Sequence, residues 1–410
     1  MEATRTTLGQ TGNSVVLMVS KALERGGYYG IRALLVIYMT GEVLAMESER
    51  ALTIYGYIAT ILIGTEIVGG LLGDLVLGNK LVAIIGAAIQ AIGAFVLCIP
   101  SEIALYGAIG LIGLGAGLYS PNVLGMFGKN YFRKDKLMDS GFTFWYLALN
   151  AGAFVGIMII ASMGDRNFTL GFILGGIFHL IACAALLLSH NPKIEVQEEE
   201  SKQYLGKGLL VVLIAVFISA LFWGMYELGG QDMFSMQYDI FSAQDSEFWS
   251  RNLLFSWNSY TTILFTLLLG AAWMFISMNR FLKLALGFVL AGMAMASLLL
   301  VSMNASGMDL ALLILAMTLI GIAEVFVAPT ILSLITKYSN PKYLAIIMSV
   351  AFLPLKVFQY LIGLATVWLL DFTNPGIKVG AGVYLVLAIA IFGISFLFKE
   401  NVSVTQSNES

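Results

Sequence analysis

Residues 21–32 read KALERGGYYGIR and lie within an apolar stretch, 14–41, that is long enough to cross a membrane. On a helix, at 100° per residue, the polar side chains of this stretch fall within roughly 140° of one face. They are Lys21, Glu24, Arg25, Tyr28, Tyr29 and Arg32. The charged side chains among them cost about 2.5–3.5 kcal/mol each inside a membrane, so this face must line a wet cavity that supplies counter-charges. The stretch therefore favours a membrane helix that lines a solute pathway.

The composition of the chain is that of a membrane protein. Of its 410 residues, 59% are hydrophobic and 11% are charged, and the mean hydropathy is +0.88. Soluble chains carry about 25% charged residues. We therefore expect an all-α, polytopic protein whose surroundings are the lipid bilayer. The net charge of −3 indicates no nucleic-acid partner, and the polar start of the chain predicts no cleavable signal peptide.

Cysteine and histidine do not suggest a redox or metal site. Cys98 and Cys183 both lie in apolar segments, where we expect small buried side chains rather than a disulfide. His179 falls in an apolar segment and His190 in a loop, so we expect no metal and no cofactor. The sequence also offers no nucleophile–histidine pair and no phosphate-cradling loop, so we expect no enzyme.

Apolar segments long enough to cross the ~30 Å hydrocarbon core recur along the whole chain. They are 14–41, 51–77, 80–99, 103–128, 138–163, 168–189, 207–234, 253–277, 281–303, 310–336, 343–370 and 377–398. A polar, acidic connector separates the first half of them from the second. We predict an N-terminal six-helix bundle in 1–189, a cytoplasmic linker in 190–206, a C-terminal six-helix bundle in 207–400 and a cytoplasmic tail in 401–410.

Basic residues in the short loops predict the orientation. One side holds Arg5, Lys80, Lys129, Arg133, Lys134, Lys136, Arg280, Lys283, Lys337, Lys342 and Lys399, together with Lys193, Lys202 and Lys207 of the linker. The other side holds Arg50, Arg166, Arg251 and Lys378. We therefore expect both termini in the cytoplasm and the protein in a bacterial inner membrane.

The end of the second predicted helix carries a glycine-spaced acidic motif. Residues 70–80 read GLLGDLVLGNK, and the positions of interest are Gly70, Asp74, Gly78 and Lys80. The stretch resembles the cytoplasmic signature G-x-x-x-D-x-x-x-G-[RK]-[RK] of the major facilitator superfamily. Its glycines would allow close helix approach, and Asp74 would pair across an interface or cap a neighbouring helix. The resemblance implies two pseudo-symmetric six-helix bundles with a central site.

Further motifs lie on the fifth, seventh, eighth and tenth predicted helices. They are DSGFTFWYLALNAG at 139–152, FWGMYE at 222–227, SWN at 256–258 and GIAE at 321–324 with Pro329. Together with 21–30, these stretches resemble E-x-x-E-R-x-x-Y-Y-G, D-S-G-F-T-x-x-Y-x-x-x-N-x-G, F-W-x-x-x-E-Q, Q-S-x-N and G-E-x-x-x-x-P. These are signatures of the proton-dependent oligopeptide transporter (POT) family. The resemblance covers nearly the whole chain and implies a proton-coupled symporter that imports di- or tripeptides by alternating access.

The resemblance implies a role for each matched residue. Those implied in proton coupling are Glu24, Arg25, Glu227 and Glu324. Those implied in substrate binding are Arg25, Tyr29, Arg32, Tyr146, Asn150, Trp223, Asn258 and Glu324. Arg32 and Glu227 would also form a salt bridge that opens and closes with the gates. The chemistry fits, because a zwitterion needs cations for its carboxylate, an anion for its ammonium group and amides for its peptide bond.

The chain departs from the family pattern at several pocket positions. Lys21 replaces the first glutamate of the motif, and Ser120 aligns with a lysine of the fourth helix. Ile63 aligns with a pocket tyrosine of the second helix, and Ala351 with a tryptophan of the eleventh. These changes put peptide specificity in question.

Two further charges lie inside apolar segments where the family pattern has none, Glu66 and Lys356. We interpret them as compensating charges. Lys356 would replace the fourth-helix lysine as the partner of Glu324, and Lys21 would pair with Glu66 or Glu24. The coupling ion is expected to be the proton.

Two rival functions remain open from the sequence. The chain could carry another small organic anion or metabolite, as an exporter or without coupling, since part of the peptide pocket has changed. A membrane sensor or enzyme is the rival from a different class. For the favoured function we expect a small peptide or peptide-like substrate and a monomeric protein.

Overall fold

The structure is a computed structural model that describes residues 12–192, 194, 196, 203–242, 254, 256–302, 304, 306–369 and 374–398, with the side chains of 59, 359 and 363–369 excepted. Every regular element within these ranges is helical. The predicted all-α fold is therefore confirmed. The predicted tail and most of the predicted linker, as well as Arg5, Arg251 and Lys399, lie outside the described residues.

The helices follow the predicted apolar segments closely. The first six are α1 (Gly12–Thr40), α2 (Ser48–Leu71), α3 (Asn79–Val96), α4 (Glu102–Lys129), α5 (Asp135–Gly156) and α6 (Phe168–Leu188). A π-helical turn, Leu72–Leu77, extends α2, and another, Ile157–Ala161, leads from α5 into Ser162–Gly164. The segment predicted at 51–77 is thus one continuous helix, as expected.

The second half of the chain repeats this pattern. A π-helical turn, Tyr204–Gly208, precedes α7 (Leu209–Ser242). The helices that follow are α8 (Trp257–Ala272), α9 (Arg280–Leu298), α10 (Gly307–Tyr338), α11 (Leu344–Ala351 and Leu353–Leu369) and α12 (Pro375–Leu397). Within the described ranges, ten helical segments are long and apolar enough to cross a membrane. The other two, α1 and α8, differ for clear reasons, since α1 carries four charges and α8 has 16 residues.

The eleventh helix, predicted over 343–370, is interrupted at a single residue. Its two parts meet at Phe352, whose backbone N–H donates to the carbonyl of Val350. Pro354 explains the break, because a proline inside a helix lacks the N–H of the normal bond and clashes with the carbonyl four residues earlier. The equivalent carbonyl here belongs to Val350.

The chain divides into two compact units. Unit 1 comprises 1–216 and 333–354, and unit 2 comprises 217–332 and 355–410. Unit 1 therefore contains α1 to α6 together with the end of α10 and the first part of α11. The boundaries predicted for the two bundles stay a prediction.

Unit 1 is held together by close helix contacts around α1. The helix packs against α5 and α6, and α4 packs against α2 and α3. A methyl group added at Gly156 of α5 would collide with the backbone of Gly26, and one added at Gly27 would lie 2.9 Å from the ring of His179 on α6. Small residues let membrane helices approach in this way. The glycines of the first motif therefore position α1 within the unit.

Unit 2 has its own aromatic core. The rings of Phe222 on α7, Phe288 on α9 and Tyr384 on α12 lie 5.5–5.7 Å apart in pairs. The Tyr384 hydroxyl donates to the carbonyl of Phe222 at 2.8 Å. Asp232 accepts a hydrogen bond of 3.1 Å from the backbone N–H of Ile377, and so caps the start of α12. These contacts join α7, the helix of Trp223, to α9 and α12.

Candidate substrate-binding and coupling residues

A buried ion cluster lies on α1. Glu24 is 0% exposed, and its carboxylate accepts hydrogen bonds from Arg25 Nε at 2.7 Å and Arg25 Nη2 at 2.8 Å. Lys21 Nζ donates to the same carboxylate at 3.0 Å. Both oxygens of Glu24 are thus engaged by cations. Charge-assisted bonds of this kind are the strong ones, and they offset the cost of burying the charges.

Ser120 of α4 completes this cluster. Its hydroxyl oxygen accepts from Lys21 Nζ at 3.3 Å and from Arg25 Nη2 at 3.1 Å. Lys21 Nζ also lies 5.2 Å from the ring of Tyr119, the neighbouring residue of α4. Of the two partners predicted for Lys21, Glu24 is the one in direct contact. Glu66 of α2 is near enough to Lys21 for an electrostatic interaction.

Arg32 lies one to two turns further along α1, among tyrosine rings. Its guanidinium carbon is 5.5 Å from the ring centre of Tyr28, 5.8 Å from that of Tyr29 and 4.6 Å from that of Tyr55 on α2. Arg32 Nε is buried and has no hydrogen-bond partner among the described residues. A buried donor without a partner costs about 1–3 kcal/mol. Arg32 therefore has an N–H group that an anionic ligand can use.

The motif of α5 serves mainly to pack the unit. Asp139 accepts a hydrogen bond from the Ser333 hydroxyl, and Phe142 packs on Phe127 of α4 with ring centres 5.4 Å apart. Two polar residues of the motif have other surroundings. Asn150 is half-buried and donates to the carbonyl of Tyr146 at 2.8 Å. The substrate-binding roles of Tyr146 and Asn150 stay predictions.

The loop between α4 and α5 supports this motif from outside the membrane-spanning segments. Tyr131 is 1% exposed, and its ring lies where a side chain at Gly141 would be. Burial raises the pKa of the Tyr131 hydroxyl to about 12, against a smaller lowering from a hydrogen bond with Ser14. The phenol is therefore neutral at physiological pH and acts as a packing and hydrogen-bonding group.

Unit 2 presents a buried carboxylate, Glu324 of α10, which is 6% exposed. The Tyr226 hydroxyl of α7 hydrogen-bonds to it, and Asn258 Nδ2 of α8 lies 3.5 Å from its Oε1. Trp223 packs one turn before Tyr226, with ring centres 5.3 Å apart. The structure thus brings together, within unit 2, the predicted residues Trp223, Asn258 and Glu324.

Three further charged residues had a predicted role, namely Glu227, Lys356 and Glu66. Glu227 follows Tyr226 on α7 and is exposed, while Lys356 on α11 and Glu66 on α2 are half-buried. The pairing of Arg32 with Glu227 and that of Lys356 with Glu324 stay predictions. Within the described ranges, no group of three or more His, Cys, Asp or Glu side chains is placed to hold a metal ion.

The glycine-spaced motif at the end of α2 forms a polar junction within unit 1. Asp74 accepts hydrogen bonds from Asn79 Nδ2 at 2.9 Å and Lys129 Nζ at 3.2 Å, and from the backbone N–H of Ile346 at 2.9 Å. Ile346 lies in the first turn of α11, where N–H groups lack helical partners. Gly70 comes close to α11 as well, since a methyl group there would lie 2.9 Å from Ser349 Oγ. Asp74 therefore has the geometry of a cap at the start of α11, which is one of its two predicted roles.

Lys80 and Gly78 belong to the same junction. The Lys80 ammonium donates to the carbonyls of Leu187 and Ser189 at the end of α6, where cations interact favourably with the helix dipole. Gly78 has φ +83°, a left-handed value that glycine adopts without strain. The motif therefore ties α2, α3, α4, α6 and α11 together.

Sequence reasoning did not single out four neighbours of the site. Ser120 was noted only as a departure, and Tyr55, Tyr119 and Tyr226 were given no role. Tyr226 had a usable signal, because it lies inside the FWGMYE motif one turn after Trp223. The contacts of the other three depend on which faces of separate helices meet, which the sequence pattern does not specify.

Comparison with known sequences places these features in a family. The sequence profile of the POT family (PTR2) matches residues 80–244. The dipeptide and tripeptide permease B of Photorhabdus asymbiotica is 30% identical over 213 residues, which are 50% of this chain and 43% of the permease. The uncharacterized transporter YclF of Bacillus subtilis is 30% identical over 217 residues, 50% of this chain and 44% of that protein. The match thus spans less than half the length of these relatives.

Comparison with solved structures extends the similarity to nearly the whole chain. A POT peptide transporter in complex with sulfate has a TM-score of 0.66 and 22% identity, over 96% of each chain. A POT family transporter in complex with 5-aminolevulinic acid has a TM-score of 0.67 and 21% identity, over 94% of this chain and 96% of that one. At this identity the likeness shows the fold. The predicted resemblance is confirmed, and the chain is a divergent relative of the POT family with its polytopic helical fold.

Proposed function

We propose that the chain is a proton-coupled symporter that imports di- or tripeptides, or a peptide-like zwitterion, by alternating access. The observation that carries this is the state of Arg32. Its half-buried guanidinium lies among three tyrosine rings with an Nε–H that has no partner in the described part of the chain. An arginine fork is the preferred partner of a carboxylate. A peptide carboxyl terminus is the ligand we assign to it.

Unit 2 contains an anionic candidate residue of its own. Glu324 is buried and receives hydrogen bonds from the neutral side chains of Tyr226 and Asn258. It would bind the ammonium group of the substrate in one state and a proton in another, since a buried membrane carboxylate is a natural proton carrier. Glu227, which follows Tyr226 on α7, would be the second carboxylate that takes part in proton coupling. The relative named above as a dipeptide and tripeptide permease supports a peptide as the transported substrate.

The proposal includes a location and a state of assembly. The loop charges support a bacterial inner membrane with both termini in the cytoplasm. A monomer would suffice, because all the residues in the argument belong to one chain.

The test is uptake of labelled dialanine by proteoliposomes with and without an inward acid gradient. Wild type is expected to accumulate the peptide only with the gradient. Replacing Arg32 by alanine should lower uptake at least about tenfold, since one charge-assisted carboxylate contact is worth about 1.5–3 kcal/mol. Arg50→Ala is the matched control, because Arg50 makes an exposed ion pair with Glu102 at 2.7 Å and should leave uptake near wild type.

The results separate the possible readings. Gradient-independent uptake would reduce the proposal to facilitated diffusion, and no uptake of any dipeptide would refute the peptide assignment. The second candidate function, transport of another small organic anion, is favoured by the changed residues Lys21, Ser120, Ile63 and Ala351. Uptake of a labelled organic acid that has no amino group, with which a panel of dipeptides fails to compete, would support that alternative.

A further inference from the structure

We propose that Lys21 makes the α1 cluster a cationic anchor that exchanges no proton, so that the proton of the symport is carried by carboxylates outside this cluster. The cluster consists of Lys21, Glu24, Arg25 and Ser120. This inference rests on the proposed function as far as the symported proton is concerned. The charge state of the cluster is a property of the protein without substrate and is tested as such.

The first step is the saturation of Glu24. Its two oxygens accept three hydrogen bonds, at 2.7, 2.8 and 3.0 Å, all from cationic donors. Its side chain is wholly excluded from solvent. A proton on this carboxylate would remove an acceptor site and leave Lys21 and Arg25 adjacent without the anion between them. The ionised form is therefore the one that the geometry stabilises.

The second step is the charge balance. Lys21 and Arg25 contribute two positive charges and Glu24 one negative charge, so the cluster has a net charge of +1. With a glutamate at position 21, two carboxylates would share one arginine, and they could be neutralised only by taking up a proton. Lys21 thus gives the cluster a net charge of +1 without any added proton, whereas with a glutamate there one added proton would raise the net charge only to zero.

The third step is the place of the Lys21 ammonium. It reaches from α1 to the hydroxyl of Ser120 on α4, at 3.3 Å. Arg25 Nη2 meets the same hydroxyl at 3.1 Å. A lysine at position 120 would compete with both cations for this space. The cation that the resemblance implies on the fourth helix is therefore supplied from the first helix.

The net charge of +1 counts only the members of the cluster, and the groups that face it are counted separately. Glu66 faces it from α2, Tyr119 from α4 and His179 from α6, while Tyr28 and Tyr29 lie beside Arg25 on α1 itself. On the α5 side, Gly152 packs against the backbone of Ala22 on α1. Glu66 is half-buried and interacts with the cluster through Lys21. It therefore belongs to the surroundings of the anchor.

His179 is the neighbour that needs its own control. It is 0% exposed, and neither ring nitrogen has a hydrogen-bond partner among the described residues. It interacts electrostatically with both Glu24 and Arg25. Its protonation would place a third cation beside Lys21 and Arg25 without a new anion to receive it. We therefore expect the imidazole to pack against Gly27 as a neutral ring.

The experiment is a hydrogen-ion titration of purified protein in detergent, without substrate, between about pH 5 and pH 8, where a shifted carboxylate or histidine would titrate. Wild type, His179→Gln and the double variant Lys21→Met, Glu24→Gln are expected to bind the same number of protons across this range. The double variant removes Glu24 together with one cation, so the net charge of the cluster stays +1. Lys21→Arg keeps the cation and should also match wild type. Lys21→Glu should take up about one additional proton per molecule, because two adjacent carboxylates share it.

The outcomes decide the proposal. A wild-type curve that exceeds that of the double variant Lys21→Met, Glu24→Gln by about one proton would overturn it, and so would a Lys21→Glu curve identical to wild type. Counterflow of labelled dialanine, measured after the same proteins are reconstituted into proteoliposomes, separates the two proposals. Matching titrations without counterflow would support the cationic anchor and refute peptide transport.

Discussion

The junction at Asp74 offers a prediction whose size follows from the structure. Replacing Ile346 by proline removes the backbone N–H that donates to Asp74 at 2.9 Å. Because Ile346 lies in the first turn of α11, where proline is tolerated, little else should change. A hydrogen bond to a charged acceptor contributes about 1.5–3 kcal/mol, so we expect the free energy of unfolding to fall by about 2 kcal/mol.

Replacing Asp74 by alanine removes the same bond and two more, from Asn79 and Lys129. Breaking a buried ion pair costs about 3–5 kcal/mol. We expect the lower end, about 3 kcal/mol, because Lys129 Nζ keeps its bond of 2.6 Å to Asn79 Oδ1. The double variant should lose about 3 kcal/mol rather than the sum of about 5, since proline at position 346 has no bond left to break.

The assay is unfolding in mixed micelles of increasing sodium dodecyl sulfate, followed by tryptophan fluorescence. Asp165→Ala is the matched control, because Asp165 is exposed at the end of the α5 segment and should change stability by less than about 0.5 kcal/mol. Additivity of the two substitutions within about 0.5 kcal/mol would refute the reasoning, because it would mean that Asp74 and the start of α11 do not interact.

Two further predictions test single contacts in each unit. Tyr226→Phe removes the hydroxyl that bonds Glu324. We therefore expect about a fivefold change in the apparent affinity for dialanine in competition assays, equivalent to about 1 kcal/mol. Tyr238→Phe, on the same helix and 62% exposed, should have no effect, and equal affinities for the two variants would contradict the role of Tyr226. Gly156→Ala should lower the free energy of unfolding by about 1–3 kcal/mol, because its methyl group would collide with the backbone of Gly26. Gly64→Ala, with open space around its Cα, should instead be neutral or stabilising by up to about 1 kcal/mol, and a stable Gly156→Ala protein would show that α1 and α5 are not in close contact.

The helices could be predicted from the sequence because membrane spans depend on local features, namely apolar length and the loops between the spans. One ion pair of the α1 cluster could be predicted for the same reason. Lys21 precedes Glu24 by three residues on one helix, so these two side chains are neighbours wherever that helix lies. Local geometry alone brings Lys21 Nζ to 3.0 Å from Glu24.

Contacts between helices could not be predicted in the same way. The meeting of Tyr226 with Glu324, or of Asp74 with Ile346, depends on the rotation and depth of separate helices, and no spacing within either helix fixes these. The break in α11 had a local cause in Pro354, but a proline inside a membrane helix is often tolerated. The sequence therefore indicated a weak point and left open whether the helix was interrupted.

Lys21 shows how a departure from a family pattern gains meaning from the structure. In the sequence, the loss of a glutamate at position 21 and of a lysine at position 120 are two separate defects, about a hundred residues apart. In the structure, Lys21 Nζ and Ser120 Oγ lie 3.3 Å apart, so the two changes occur at one place. The small side chain of Ser120 leaves room for Lys21, which reaches it from α1. Relative to the family pattern, one positive charge is kept at this place and one carboxylate is lost.

If this pairing is correct, restoring either family residue alone should disturb the cluster more than restoring both. The substitution Ser120→Lys by itself would add a third cation beside Lys21 and Arg25. The substitution Lys21→Glu by itself would leave two carboxylates with one arginine. The double variant would balance two carboxylates with two cations, so its free energy of unfolding, measured in the same micelle assay, should exceed that of either single variant. A double variant whose loss of stability equals the sum of the two single losses would show that positions 21 and 120 do not interact.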